Sequence, residues 1–180
     1  GKECFVMMKD FLGNIYLTFT TKRKKGVVQK FNGILSGAKN YALLMPEDNN
    51  DFQNALLIAE YLLSKNFHVT LIANNLSLPL LRDKSHYRLE EYFPTDKNRF
   101  GFPKMKLMQR LKIYSYDALI SLSREVSPFQ NYCAEKLSAG VKIGAALPGN
   151  DKIYQVQIST KDSDPVDFYK IFLNCLQSLY

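Results

Sequence analysis

The sequence predicts an α/β domain in which a mainly parallel, five- to six-stranded sheet carries helices on both faces. Two observations indicate this fold class. Apolar runs of strand length alternate along the chain with segments whose apolar residues recur at helical spacing. The runs at 41–45, 68–73, 118–122 and 141–147 are predominantly apolar, which is typical of strands that are buried on both faces. Strands that alternate with helices in this way form a doubly wound sheet.

The segment 41–74 predicts one strand, helix, strand unit around which the domain is built. Asn50 is the expected N-cap of the helix, Gln53 has the spacing of a capping box, and Asp51 suits the positive helix end. The apolar residues of this helix recur on one side: Phe52, Ala55, Leu56, Ala59, Leu62 and Leu63. The second strand then returns parallel to the first through a right-handed crossover.

The remaining elements follow in order, from a strand candidate at 86–92 to a last helix that begins near Asp164. The segments between them are predicted as a loop at 94–103, a helix at 105–113 and a helix from Ser127 to Gly140. The loop at 94–103 is flanked by aromatic residues, which fits a lid, a partner contact or a passive surface connection. Strict alternation at 153–158 predicts a strand at the sheet edge that can run antiparallel to the others.

The positive charge of the chain is concentrated before residue 41. Residues 1–40 carry eight basic and two acidic residues, whereas residues 41–180 carry 16 basic and 15 acidic residues. Apolar residues at positions 5, 8, 12, 15 and 19 have helical spacing and precede a contiguous basic cluster, Lys22, Arg23, Lys24 and Lys25. We therefore predict a basic amphipathic helical arm over residues 1–40 and a single α/β domain over residues 41–180. The cluster suits an anionic membrane surface or RNA, and a solvated helix end fits the same pattern.

Cysteine and histidine usage argues against a metal site. The three cysteines are widely spaced, no C-x-x-C motif occurs, and the chain has only two histidines. This pattern predicts reduced thiols and a cytoplasmic location, peripheral to the membrane if the basic arm binds one. We also expect no cofactor, because the loop at 46–51 contains none of the glycines that let a backbone approach a phosphate.

Candidate binding residues lie where two predicted strands end. Ligands of open parallel sheets bind beyond the carboxyl ends of the strands. Asp48 and Asp51 follow the first strand, and Ser123 and Arg124 follow the strand at 118–122. Together they could supply a base and an anion contact for a hydroxylated substrate, with Asp51 as the candidate catalytic base. Helix capping and solvation explain the same residues.

Four short motifs carry a resemblance to a known family: residues 45–52, 69–72, 117–122 and 136–144. In this order they resemble the N-terminal, acceptor-side, Rossmann-like domain of heptosyltransferase-type glycosyltransferases, over residues 41–147. The resemblance implies a Rossmann-like fold and a glycosyltransferase-like activity, with Asp51 matching the acid that the family has just inside the first helix. The chain also resembles small uncharacterised bacterial proteins that comprise one such domain.

The chain departs from the enzymes of that family at three points. The loop at 46–51 lacks the family's glycines, and Ser121 occupies a position where an acid is common. The second Rossmann-like domain, which binds the nucleotide-sugar donor in the enzymes, has no counterpart in this sequence. Two functional hypotheses follow. One is a non-catalytic module that binds a protein partner, a second copy of itself or an anionic surface, and the alternative is the acceptor-binding half of a glycosyltransferase-like enzyme that acts with a second chain.

Overall fold

The computed structural model describes residues 4–9, 16–18, 33–160 and 164–180, and the side chains of 33–159 and 164–180. The described strands are β1 (Cys4–Lys9), β2 (Tyr16–Thr18), β3 (Asn40–Leu44), β4 (His68–Asn74), β5 (Arg88–Tyr92), β6 (Ser115–Ser121), β7 (Ser138–Ala145) and β8 (Val156–Thr160). The described α-helices are α1 (Asn49–Ser64), α2 (Met105–Leu111), α3 (Pro128–Lys136) and α4 (Pro165–Gln177).

All described strands belong to one sheet in the order β2-β1-β8-β7-β6-β3-β4-β5. The six strands from β8 to β5 are mutually parallel, which confirms the predicted doubly wound fold. From β3 the chain adds strands first toward β5 and then, from β6 onward, on the other side. β3 and β6 are therefore neighbours at the switch point of the sheet, where open α/β folds leave a crevice for ligands.

The core lies on both faces of this sheet. Leu43 of β3 is paired with Leu71 and Ile120 on its two sides, and all three side chains are fully buried on the face that α1 and α4 cover. On the opposite face, α2 and α3 cover Leu44 and its neighbours. The expected core residues Leu44, Leu71, Ile120, Ile143 and Phe172 are buried, whereas Leu56 is partly buried.

The N-terminal segment departs from the predicted helix. Residues Cys4–Lys9 and Tyr16–Thr18 are strands, and β1 pairs antiparallel with both β2 and β8. A short apolar run fits a helix face and a buried strand equally well, and the unpaired side of β8 decides in favour of a strand. The basic cluster Lys22, Arg23, Lys24 and Lys25 lies outside the described residues.

β8 is an inner strand, so its predicted edge position is wrong. It runs parallel to β7 on one side and antiparallel to β1 on the other. The strand candidate at 86–92 is confirmed as β5, which ends the parallel part of the sheet. Two helix ends also differ from the prediction, since Asp48 rather than Asn50 caps α1 and α3 ends at Lys136 before β7 begins.

The cysteines agree only in part with the expectation of reduced thiols. Cys133 is free and buried, and burial raises the pKa of its thiol to about 12. Cys175 of α4 is disulfide-bonded, which corrects the expectation for that residue. Within the described ranges, no helix is both long enough and apolar enough to cross a membrane.

Candidate functional site

The carboxyl ends of β3 and β6 meet at the switch point. The Leu122 amide donates to the Leu44 carbonyl at 3.1 Å, so the loops that follow the two strands leave the sheet side by side. One loop leads into α1 and the other into α3. The sequence-predicted binding residues lie on these two loops and on the first turn of α1.

Asp51 and Arg124 are brought together across the switch point. The Arg124 Nε donates to Asp51 Oδ1 at 2.9 Å, and Nη2 lies 2.9 Å from the same oxygen. The Asp51 side chain is 10% exposed and that of Arg124 is 22% exposed. Burial raises the pKa of Asp51 despite the adjacent guanidinium, and the pKa of Arg124 is also raised because Asp51 outweighs the opposing effect of its own burial.

The other two predicted residues have local roles. Asp48 is the N-cap of α1, and its Oδ1 accepts from the Asp51 amide at 2.9 Å. Ser123 donates through its hydroxyl to the Glu125 carbonyl at 2.7 Å, within its own loop. The structure thus joins Asp51 to Arg124 directly and to Asp48 through the helix cap, whereas Ser123 is directed to its own turn.

Two side chains that the sequence prediction missed occupy the same edge. The amide of Gln130 donates from Nε2 to the Met45 carbonyl at 2.9 Å, and its Oε1 accepts from the Ser121 hydroxyl at 2.6 Å. The buried Tyr169 hydroxyl of α4 donates to the Leu122 carbonyl at 2.7 Å. The polar groups at the ends of β3 and β6 are therefore satisfied by the protein's own side chains.

Gln130 could have been found from the helix pattern. It is the third residue of α3 and lies beside Phe129, and both face the sheet together with Cys133. A glutamine on the buried side of a helix needs hydrogen-bond partners, which only the adjacent strand ends can supply. Tyr169 gave no comparable signal, because a tyrosine in an apolar helix stripe is ordinary.

A second feature of the carboxyl edge is a tight loop after β5, which we call the Phe100 loop (residues 97–103). Its turn is organised by Asn98, whose Oδ1 accepts from the Phe100 amide at 2.9 Å and from the Phe102 amide at 3.1 Å. The Asn98 amide donates to the Phe102 carbonyl at 2.9 Å, and Gly101 has a φ of +82°, which favours glycine. These bonds fix the backbone that presents Phe100.

The base of the Phe100 loop is fastened to the rest of the domain. The Lys97 ammonium lies 2.5 Å from Glu47 Oε1, which also accepts from the Tyr92 hydroxyl at 2.9 Å. The Phe102 ring packs edge-on against Tyr132 of α3, with 5.9 Å between the ring centroids. Contacts with the loop after β3 and with α3 therefore hold this loop in place.

The Phe100 loop and its flanks expose an unusual number of apolar side chains. Phe100 is 63% exposed and Met105 is 76% exposed, and Phe93 and Phe102 are also exposed. We call these four residues, three phenylalanines and one methionine, the aromatic surface. The Arg99 guanidinium lies over the Phe100 ring, 4.7 Å from its centroid. Exposed aromatic residues beside arginine are typical of binding hot spots.

Two open cavities lie away from this edge. One, at the amino ends of β4 and β5, is lined by both histidines of the chain, His68 and His86, together with Arg88. The other is an open groove lined by α1, by the segment 80–87 and by the first turns of α4, with Leu57 and Val166 in its lining. Across the described part of the chain, no group of three or more histidine, cysteine, aspartate or glutamate residues could hold a metal ion.

Comparison with solved structures supports the fold. The chain is similar to E. coli heptosyltransferase WaaC with ADP, with a TM-score of 0.55 and 12% sequence identity. The similarity covers 76% of this chain and 46% of that chain, so the chain spans less than half of the enzyme's length. It confirms the resemblance in fold and shows a Rossmann-like sheet.

Comparison with protein families assigns the chain to a family whose function is unknown. No curated protein matches the chain. The model of one family matches residues 9–179, which include the switch point, the Phe100 loop and nearly all of the sheet. The chain therefore belongs to a family of unknown function, DUF6913.

Proposed function

We propose that the chain is a non-catalytic Rossmann-like module that binds a protein partner at the carboxyl edge of its sheet. The observation that carries this proposal is the Phe100 loop, a braced turn that holds an aromatic side chain in solvent. Phe100 is 63% exposed although Asn98 fixes the backbone on both sides of it. A loop whose backbone is already fixed loses little conformational entropy on binding, which favours contact of Phe100 with a partner.

The filled switch point supports the same proposal. The side chain of Gln130 is hydrogen-bonded to the Met45 carbonyl and to the Ser121 hydroxyl. The Arg124 guanidinium forms an ion pair with the Asp51 carboxylate. A substrate at this position would have to displace hydrogen bonds that the protein already makes. The exposed aromatic residues beside it need no such exchange, which favours recognition by surface contact over turnover in the crevice.

Site-specific photo-crosslinking tests the proposal. A photoreactive phenylalanine analogue at position 100 should crosslink a partner when the protein is expressed in its native cell. The matched control carries the analogue at Ile113, which is 71% exposed and follows the other end of α2. An excess of the unlabelled chain should abolish the crosslink, and the Phe100→Ala chain should not. Equal crosslinking at both positions, or equal competition by both chains, would refute a partner site at the Phe100 loop.

A second candidate is the acceptor-binding half of a glycosyltransferase-like enzyme that acts with another chain. It is favoured by the fold similarity to the heptosyltransferase and by the Asp51 and Arg124 pair at the switch point. This function predicts that nucleotide sugars or their acceptors raise the melting temperature, because a ligand at 100 times its Kd adds about 2.7 kcal/mol of stability. We expect no shift. A shift that Asp51→Asn abolishes would establish the second candidate instead.

A further inference from the structure

The partner's chemistry follows from the charges around the aromatic surface, and this inference rests on the proposed function. We infer that the Phe100 loop takes an acidic protein segment that contains an apolar anchor residue. The anchor would pack on Phe100 and Met105, and the carboxylates beside it would meet the flanking cations. An aromatic surface surrounded by positive charge selects a segment of the opposite charge.

The region of the aromatic surface is strongly basic. Residues 93–113 contain six basic residues and one acidic residue, a net charge of +5, whereas the whole of residues 41–180 has a net charge of +1. The rest of residues 41–180, outside 93–113, therefore has a net charge of −4. The basic residues are Lys97, Arg99, Lys104, Lys106, Arg110 and Lys112. The positive charge of the domain is thus gathered on the loop and helix that carry the exposed apolar residues.

Three of these six cations, all next to Phe100 or Met105 in the chain, are available to a partner. Lys97 is paired with Glu47, and Arg110 lies 3.4 Å from Glu90. The exposed residues Arg99, Lys104 and Lys106 lie within ion-pair distance of no carboxylate among the described side chains. They flank Phe100 and Met105 in the chain, so an acidic segment can reach apolar and cationic groups together.

The neighbouring carboxylates favour a narrow segment over a broad anionic surface. Asp48 and Glu125 are exposed on the loops after β3 and β6, at the same edge of the sheet. An anionic bilayer facing this edge would approach these carboxylates as closely as the cations, and the like charges would oppose binding. An acidic peptide that follows the Phe100 loop and the first turn of α2 avoids them.

An unbiased peptide selection tests the inference. A displayed library of random twelve-residue peptides is selected in parallel on the wild-type chain and on Phe100→Ala. The selected peptides are then measured by fluorescence anisotropy against the wild type and against an Arg99→Ser, Lys104→Ser variant. Ile113→Ala, at the far end of α2, is the matched exposed-apolar control. Thermal unfolding of each variant checks the fold, which should be unchanged because these side chains are exposed.

We expect peptides in which aspartate and glutamate flank a leucine or an aromatic residue. Their affinity should fall at least tenfold in the double serine variant and with rising salt, and it should be unchanged in Ile113→Ala. Peptides that need Phe100 but show no acidic enrichment would overturn the partner chemistry and leave the proposed function standing. Peptides that bind wild type and Phe100→Ala equally would overturn both. Tighter binding of mixed single-stranded RNA, or of phosphatidylglycerol vesicles, than of the best peptide would also refute an acidic protein partner.

Discussion

The guanidinium of Arg124 contacts the carboxylate of Asp51 through two nitrogens, each 2.9 Å from Oδ1. The ion pair joins the loop after β6 to the first turn of α1 and so bridges the crevice at the switch point. Arg124→Gln removes the charge that faces a carboxylate in a largely buried position. We expect this variant to lose about 1–3 kcal/mol of unfolding free energy at neutral pH, as for a buried acceptor that loses its partner.

The pH dependence of this loss separates it from a packing defect. Burial already raises the pKa of Asp51 in the wild type, and the pKa rises further when Arg124 is absent. A carboxyl whose folded-state pKa is raised destabilises the fold as the pH rises above its unfolded value. Urea unfolding of Arg124→Gln and wild type should therefore nearly coincide at about pH 3.5 and diverge toward pH 7. A pH-independent difference would contradict this explanation.

Gln130 should be important for stability although it is a polar residue in the first turn of α3. Gln130→Met keeps the size of the side chain but leaves the Met45 carbonyl and the Ser121 hydroxyl without their partner. We expect a cost of about 2–3 kcal/mol, measured by urea unfolding. The control is Gln177→Met on the exposed side of α4, which should change the free energy of unfolding by less than about 0.5 kcal/mol.

Asp117 fastens the entry of β3 to β6 at the opposite edge of the sheet. Its Oδ2 accepts from the amides of Lys39 and Asn40 at 2.8 and 2.9 Å, and these two bonds lower the pKa of the carboxyl. Asp117→Ala should cost about 1–2 kcal/mol at pH 7, measured by urea unfolding.

A lowered pKa stabilises the fold above the unfolded value, and this gain is lost as the pH falls through the folded value. The difference between wild type and Asp117→Ala should therefore shrink below about pH 4. Glu60→Ala, on an exposed position of α1, is the control and should show no such convergence. A difference that stays constant from pH 7 to pH 3 would rule out the charge-assisted hydrogen bonds as its cause.

Asn98→Ala tests the rigidity of the Phe100 loop without altering its exposed contacts. The variant removes the acceptor of the Phe100 and Phe102 amides. Hydrogen exchange at these two amides should accelerate at least tenfold, while global stability changes by about 1 kcal/mol or less, because the loop lies outside the core. The Phe100 crosslink described above should weaken in parallel. Unchanged exchange would show that the loop is held by other contacts, such as Phe102 on Tyr132.

Most of the parallel sheet could be predicted from local patterns because β3, β4, β6 and β7 each contain a predominantly apolar run, whereas β5 and β8 carry more polar residues. Once β3 and β6 are placed in a doubly wound sheet, their carboxyl ends must meet, and the proximity of Asp51 and Arg124 follows. The direction of the Ser123 side chain could not be predicted in this way, since its bond to Glu125 depends on the loop's backbone. Binding of the basic cluster Lys22, Arg23, Lys24 and Lys25 to anionic liposomes stays a prediction. It is tested by co-sedimentation of the wild type and of a variant in which these four residues are changed to serine.

The missed features all depend on packing between distant segments. β1 is a strand because it pairs with the otherwise unpaired edge of β8. The sequence of residues 4–9 alone does not indicate this pairing. Gln130 matters because the ends of β3 and β6 lie under it, 85 residues from one of its partners. The Phe100 loop was placed correctly as a loop, but its rigidity comes from an asparagine turn and from Glu47 on another loop.

The pairing of β1 with β8 has a consequence for synthesis on the ribosome. Cys4 is paired with Thr160, so the first described strand completes its ladder only after almost the whole domain has been made. At translation rates of about 5–20 residues per second, β1 emerges on the order of 10–30 s before its partner. During this interval β2 is its only described pairing partner and the backbone edge that will pair with β8 stays open, which makes this strand a candidate for chaperone binding to the nascent chain.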